Sequence, residues 1–176
     1  MASISLYDTT IGVANHSLLT LVDLLDKVKA HPEADSLVSA RLYPDMLPFS
    51  TQILIVCSFA KKMVERLAAR ELETWSDDDI TKLDQLVERV HKTLDLLKTV
   101  KKEDVDGREQ KEQTIKMGPL DPVQATTAQY VLGYALPNLF FHLTTAYDIL
   151  RMKGVQLGKA DYLKHFVSPF MPAAKQ

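Results

Sequence analysis

The sequence predicts an all-α protein, an antiparallel four-helix bundle with one minor β hairpin. Three observations carry that prediction. Four long segments repeat apolar residues at steps of three and four, the spacing that places them on one face of a helix. Capping residues, prolines and glycines bound these segments. Between the third and the fourth lies a charged, glycine-containing stretch where the helical period gives way to alternation. A chain of 176 residues is most simply one domain, 1–176, large enough to bury a core without disulfide or metal staples.

The first helix is capped by Ser3 or Ser5, runs to about Ala30 and stops at His31-Pro32. Its stripe is Tyr7, Ile11, Ala14, Leu18, Leu21, Leu25 and Val28, with Asn15 beside it. A connector follows, with a short helical piece over Glu33–Ala40 and then a turn stiffened by Pro44 and Pro48. Tyr43, Met46, Leu47 and Phe49 are too apolar for a solvated loop and are expected to cover one end of the core. The second helix begins at Pro48 or Ser50 and reaches Arg70, with Phe49, Ile53, Val56, Ala60, Met63 and Leu67 inward. Cys57 and Val64 flank that stripe, and Lys61, Lys62, Glu65 and Arg66 form the solvated side.

Ser76 opens an acidic first turn that predicts a third helix from Asp77 to about Thr99. Ile80, Leu83, Val87, Val90, Leu94 and Leu97 point inward and His91 outward. Residues 100–125 read as an exposed loop followed by a small hairpin: EQTIKMG, the turn GPLDP, then VQATTAQ. The last helix starts near Thr127, bends or divides at Gly133 and Pro137, and ends at Gly154. Tyr162, Phe166 and Phe170 predict a tail that packs back onto the bundle.

Composition narrows the classes of function. A net charge of -2 gives no electrostatic footprint for nucleic acid or an acidic membrane. No apolar run approaches the roughly 20 residues of a membrane span, and the N-terminus does not read as a signal peptide. The lone Cys57 excludes an intrachain disulfide and suits a reducing compartment, so the expected location is cytoplasmic. No phosphate loop, dinucleotide fingerprint, paired zinc cysteines or serine triad is present.

Chemistry concentrates on the last helix. Asn138, His142, Thr145, Ile149 and Met152 share one face, so an amide, an imidazole and a hydroxyl are expected in a row facing the core. Buried polar groups need partners, which makes the row either a hydrogen-bonded lock or a pocket wall. His142 is the candidate acid/base and Asn138 the group that orients the ligand or the ring. Thr145, Tyr134, Gln52, Cys57, Asn15 and Asp45 complete the expected binding set, though for Asp45 capping of the second helix is the first reading.

SISLYDTTI, RLYPDMLPFSTQI and above all LPNLFFHLTTAYDILRMKGVQLGKADYL resemble a branch of bacterial and fungal proteins in the DinB/YfiT-like superfamily. Some fungal members carry a helix-turn-helix label. The resemblance covers nearly the whole chain. It implies a DinB-like four-helix bundle, often dimeric, with a central pocket between the helices. It also implies a divalent metal held by a second-helix histidine and a last-helix histidine pair spaced by four. His142 matches the second of that pair, Asn138 the first, and Cys57 falls close to the second-helix ligand. With one histidine of three, the expected metal-ligand set is none. The expectation is a homodimeric DinB-like bundle that binds a small organic molecule around His142, with metal-independent chemistry of the isomerase, cyclase or lyase type. Two alternatives are a divalent-metal-dependent transferase or hydrolase, in which His142, Cys57 and Asp45 supply ligands, and a non-catalytic dimeric protein whose polar row fixes helix register.

Overall fold

Four long helices form the protein in the computed structural model, which describes residues 4–116 and 118–171. They are α1 (Val13–Lys29), α3 (Phe49–Leu67), α4 (Leu83–Lys98) and α6 (Leu136–Met152). Short pieces punctuate them: α2 (Ala34–Leu37), a hairpin of β1 (Glu112–Ile115) and β2 (Val123–Thr126), α5 (Thr127–Tyr130), and α7 (Lys159–Val167). Leu18, Leu21, Phe49, Ile53, Ala60, Met63, Val90, Leu139, Leu143 and Ala146 meet in one core, each fully buried. Complete burial of one such large apolar side chain is worth about 1.5–3 kcal/mol.

Contacts at the ends give the helix directions. The start of α1 meets the end of α4, where Lys102 pairs with Asp8 at 2.7 Å and Asp106 accepts from the Tyr7 amide at 2.8 Å. Arg70, just past α3, donates to Thr99, just past α4. Arg66 near the end of α3 lies over the Tyr130 ring at the start of the last helical run, 5.1 Å away. So α1 and α6 run one way, and α3 and α4 the other. Residues 68–82 must therefore travel back along α3, and they do so largely without regular structure. At 19 residues, α3 is about 28 Å long, a distance about nine extended residues can span. Ala69 starts the return in the left-handed region, with φ 51°.

That crossover explains the main departure from expectation. The third helix does not begin at Asp77 but at Leu83, because residues 77–82 are spent on the return path. The Ser76 hydroxyl accepts only from the Asp78 amide, at 3.3 Å, in a local turn. Gln85 takes over the cap: its carbonyl accepts from the amides of Thr81 and Lys82 at 3.0 and 2.9 Å. Long-range connectivity has overridden a local start signal. The connector after α2 also differs. Phe49 is buried, but Tyr43 and Leu47 are 66% and 46% exposed, so they do not cover the core.

The hairpin forms as expected, with Glu112 opposite Thr126 and Ile115 opposite Val123. Thr126 then caps the last helical run reciprocally with Gln129. That run divides around Gly133 as a π-helical segment, Val131–Ala135, before α6 begins. A second π-helical turn, Asp8–Gly12, precedes α1. Gly154, at φ +85°, terminates α6, where the Val155 amide reaches back to the Leu150 carbonyl. The tail returns as α7 along α1, held by Lys27–Asp161 at 2.8 Å, Lys164–Asp23 at 2.7 Å and a Thr20 hydroxyl donating to the Tyr162 carbonyl. Tyr162 and Phe166 pack against the core, whereas Phe170 is exposed. Among the described residues, no helix is long and apolar enough to cross a membrane.

Candidate functional site

α6 turns Leu139, Leu143, Ala146 and Leu150 into the core and carries its polar row along the edge of that stripe. Ile149 and Thr145 are buried, Asn138 and His142 half-buried, and Met152 is 48% exposed. The row therefore leaves the core at its C-terminal end instead of lying wholly inside, as helical drift of a mixed face allows.

Two of the three polar members are satisfied by their own helix. Asn138 donates to the Tyr134 carbonyl at 2.7 Å and Thr145 to the Phe141 carbonyl at 2.8 Å. Asn138 thus turns back toward the π-helical segment, and its amide nitrogen is not engaged with His142. His142 alone reaches across, with Nδ1 2.6 Å from Oε1 of Gln52 on α3. Gln52 is 2% exposed, and its amide nitrogen donates to the Leu47 carbonyl at 2.9 Å. That second bond fixes the amide, since a flipped Gln52 would set two carbonyl oxygens against each other. Oε1 must then accept, so Nδ1 of His142 carries the proton.

In a neutral ring, Nε2 is left as the lone-pair nitrogen. Burial does hold the ring toward neutrality, lowering its pKa below the usual imidazole range. Nε2 has no hydrogen-bond partner among the described residues, yet it is not a sealed-off atom: there, the Tyr130 hydroxyl is the one such side-chain group without a partner. A basic nitrogen of fixed tautomer therefore reaches solvent at the seam between α3 and α6. The exposed Phe141 ring stands edge-on to the imidazole at 5.2 Å. This arrangement can accept a hydrogen bond or a proton from a bound molecule.

The other sequence-selected residues lie apart from this nitrogen to different degrees. Cys57 is 1% exposed and sits against Thr93 of α4, and burial pushes its thiol up to about 12. It is an inert core group in this state, and Gln52, not Cys57, is the residue of α3 that meets His142. Asp45 is exposed in the connector, and Asn15 is half-buried on α1. Tyr134 packs edge-on against Phe59 at 5.6 Å. The metal set is weak on donor chemistry: Asn138 keeps only a neutral amide oxygen, and Cys57 is buried in the core away from His142. Among the described residues no three His, Cys, Asp or Glu side chains come together. Gln52 was detectable in sequence as a polar residue inside the apolar stripe of the second helix. Its partner was not.

A family model described as Domain of unknown function (DUF1993) matches residues 6–163. Among solved structures, a DinB family member protein from Shewanella denitrificans is similar to this chain at 32% identity. The match covers 97% of this chain and 96% of that one, with a TM-score of 0.82. No curated protein matches the chain.

Proposed function

The chain belongs to the DUF1993 family and is a DinB-like protein, and from that premise we propose that it binds a small organic molecule at His142, with Nε2 as hydrogen-bond acceptor or general base. The observation that carries this reading is the Gln52–His142 bond at 2.6 Å. A buried amide holding one ring nitrogen protonated leaves the other basic, accessible and correctly oriented, which is what acid/base chemistry without a metal asks of an imidazole. Asn138, one turn away on the same face, retains an amide oxygen that could orient the ligand. The test is a thermal-shift screen of small uncharged organic molecules, amides, esters and ketones, on the wild type and on His142→Gln. Compounds that stabilise the wild type should lose their effect in the variant while its unliganded melting point stays close to the parent. Stabilisation that survives His142→Gln unchanged would refute the proposal.

A second reading has its own support. Tyr43 and Leu47 expose apolar surface in the connector, which is tied to the site through the Leu47 carbonyl, and Leu132 and Phe141 expose more along the last helical run. On α1, α7 already packs along part of the surface. We read the connector face as where a second copy of the chain would pack, making a homodimer with the site near its edge. Light scattering should give twice the monomer mass, and Tyr43→Lys with Leu47→Lys should return it to the monomer. A monomer at all micromolar concentrations would end this reading.

A further inference from the structure

The crossover connection roofs a hollow on the seam between α3 and α4. Its volume is about 180 Å³, the room of about six liquid waters. Trp75 from the connection supplies an apolar wall, and cations from both helices surround its indole. Lys61 lies 5.6 Å from the ring centre, Arg89 5.3 Å and Lys92 4.4 Å. Lys61 and Arg89 have side chains only 13% and 11% exposed, and each is already paired, with Glu65 and Asp77. Lys62 also lines the hollow and has no ion pair among the described residues, so three cations there face two carboxylates. The hydroxyls of Ser58 and Thr74 line it too, without a hydrogen-bond partner among the described residues.

We propose that this hollow is a binding site for a small organic carboxylate. The single excess positive charge suits a monoanion. An ammonium and two free hydroxyls suit oxygens that only accept hydrogen bonds. Trp75 offers the flat apolar surface that a ring or short unsaturated chain would cover, a use inorganic anions do not have. Because the hollow uses the α3–α4 seam and His142 the α3–α6 seam, the site is independent of the function proposed above.

Trp75 is the single tryptophan of the chain, so its indole N–H gives one resolved NMR signal, and that N–H donates to Glu73 beside the hollow at 2.9 Å. The experiment titrates the full chain with sodium benzoate and follows this signal, with benzamide, inorganic phosphate and sodium chloride at matched ionic strength as the other arms. A saturable shift with benzoate alone is expected, weakened about tenfold in Lys62→Gln and unchanged in His142→Ala. An indole signal that benzoate does not move would overturn the assignment, as would an equal response to benzamide, phosphate or chloride. Undiminished affinity in Lys62→Gln would do the same.

Discussion

α3 serves two seams that solve the same problem in opposite ways. Toward α6 it offers a neutral amide, Gln52, fully buried and bonded to a neutral imidazole. Toward α4 and the crossover it offers Lys61, which with Arg89 forms ion pairs around Trp75 at the rim. Desolvation accounts for the difference. An ion taken deep into the core loses several kcal/mol of hydration, so polarity inside the α3–α6 seam has to be uncharged and fully bonded. The α3–α4 seam is roofed only by an irregular segment, and charges there keep part of their water. Chemistry that needs a neutral base belongs in the first seam, and recognition of charge in the second.

The comparison breaks most directly at Gln52. Replacing it by alanine leaves a cavity, an unpaired Leu47 carbonyl and an unpaired His142 nitrogen, and should cost about 2–4 kcal/mol in urea unfolding. His142→Ala, at a half-buried position where water can reach the freed Gln52 oxygen, should cost about 1 kcal/mol. Equal losses for the two variants would make the pair a structural lock and remove its functional meaning. On the other seam, Arg89→Ala forfeits the bonds to the Ser76 carbonyl at 2.6 Å and to Asp77. A loss of about 1.5–3 kcal/mol is expected, read by the same unfolding curves. A change under about 0.5 kcal/mol would mean that the ion pair does not fasten the crossover.

Acid should distinguish the seams as well. Burial lowers the pKa of His142, and that of His16 on α1, below the imidazole range. The native state then holds fewer protons than the unfolded chain. Its stability is complete above about pH 6.5 and declines as pH falls through the folded values. Urea midpoints should therefore fall between about pH 7 and pH 5, with a shallower slope in His142→Gln. A flat profile across that window would contradict the burial-driven shift. The smallest effect concerns the crossover's entry. Ala69 holds φ 51°, a conformation that costs an L-residue roughly 1 kcal/mol, so Ala69→Gly should be neutral to stabilising by about 0.5 kcal/mol. Clear destabilisation would show that the strain is absent.

The bundle was legible because burial repeats with the helical period. On α3 every residue of the stripe from Phe49 to Leu67 read from sequence is buried. The hairpin was legible because alternation and turn residues are local signals. The start of α4 was misread because Ser76 and three aspartates form a good local N-terminus, while the need for residues 77–82 to travel along α3 is set by the fold. At the site, His142 was readable as a polar break in an apolar helix. That its partner is Gln52 and not Cys57 depends on the rotation of α3 against α6. The Trp75 hollow was invisible for a similar reason: its cations are ordinary solvated-face residues until the crossover brings an indole over them.

The central claim is that Gln52 holds His142 in its Nδ1-protonated, Nε2-basic form. Nitrogen NMR of the imidazole at neutral pH tests it without a substrate. In the wild type, the spectrum should show an unprotonated Nε2 and a protonated Nδ1, and that preference should weaken in Gln52→Met, which keeps the side-chain length and removes the acceptor. An Nε2-protonated ring, or a charged imidazolium at neutral pH, would contradict the account.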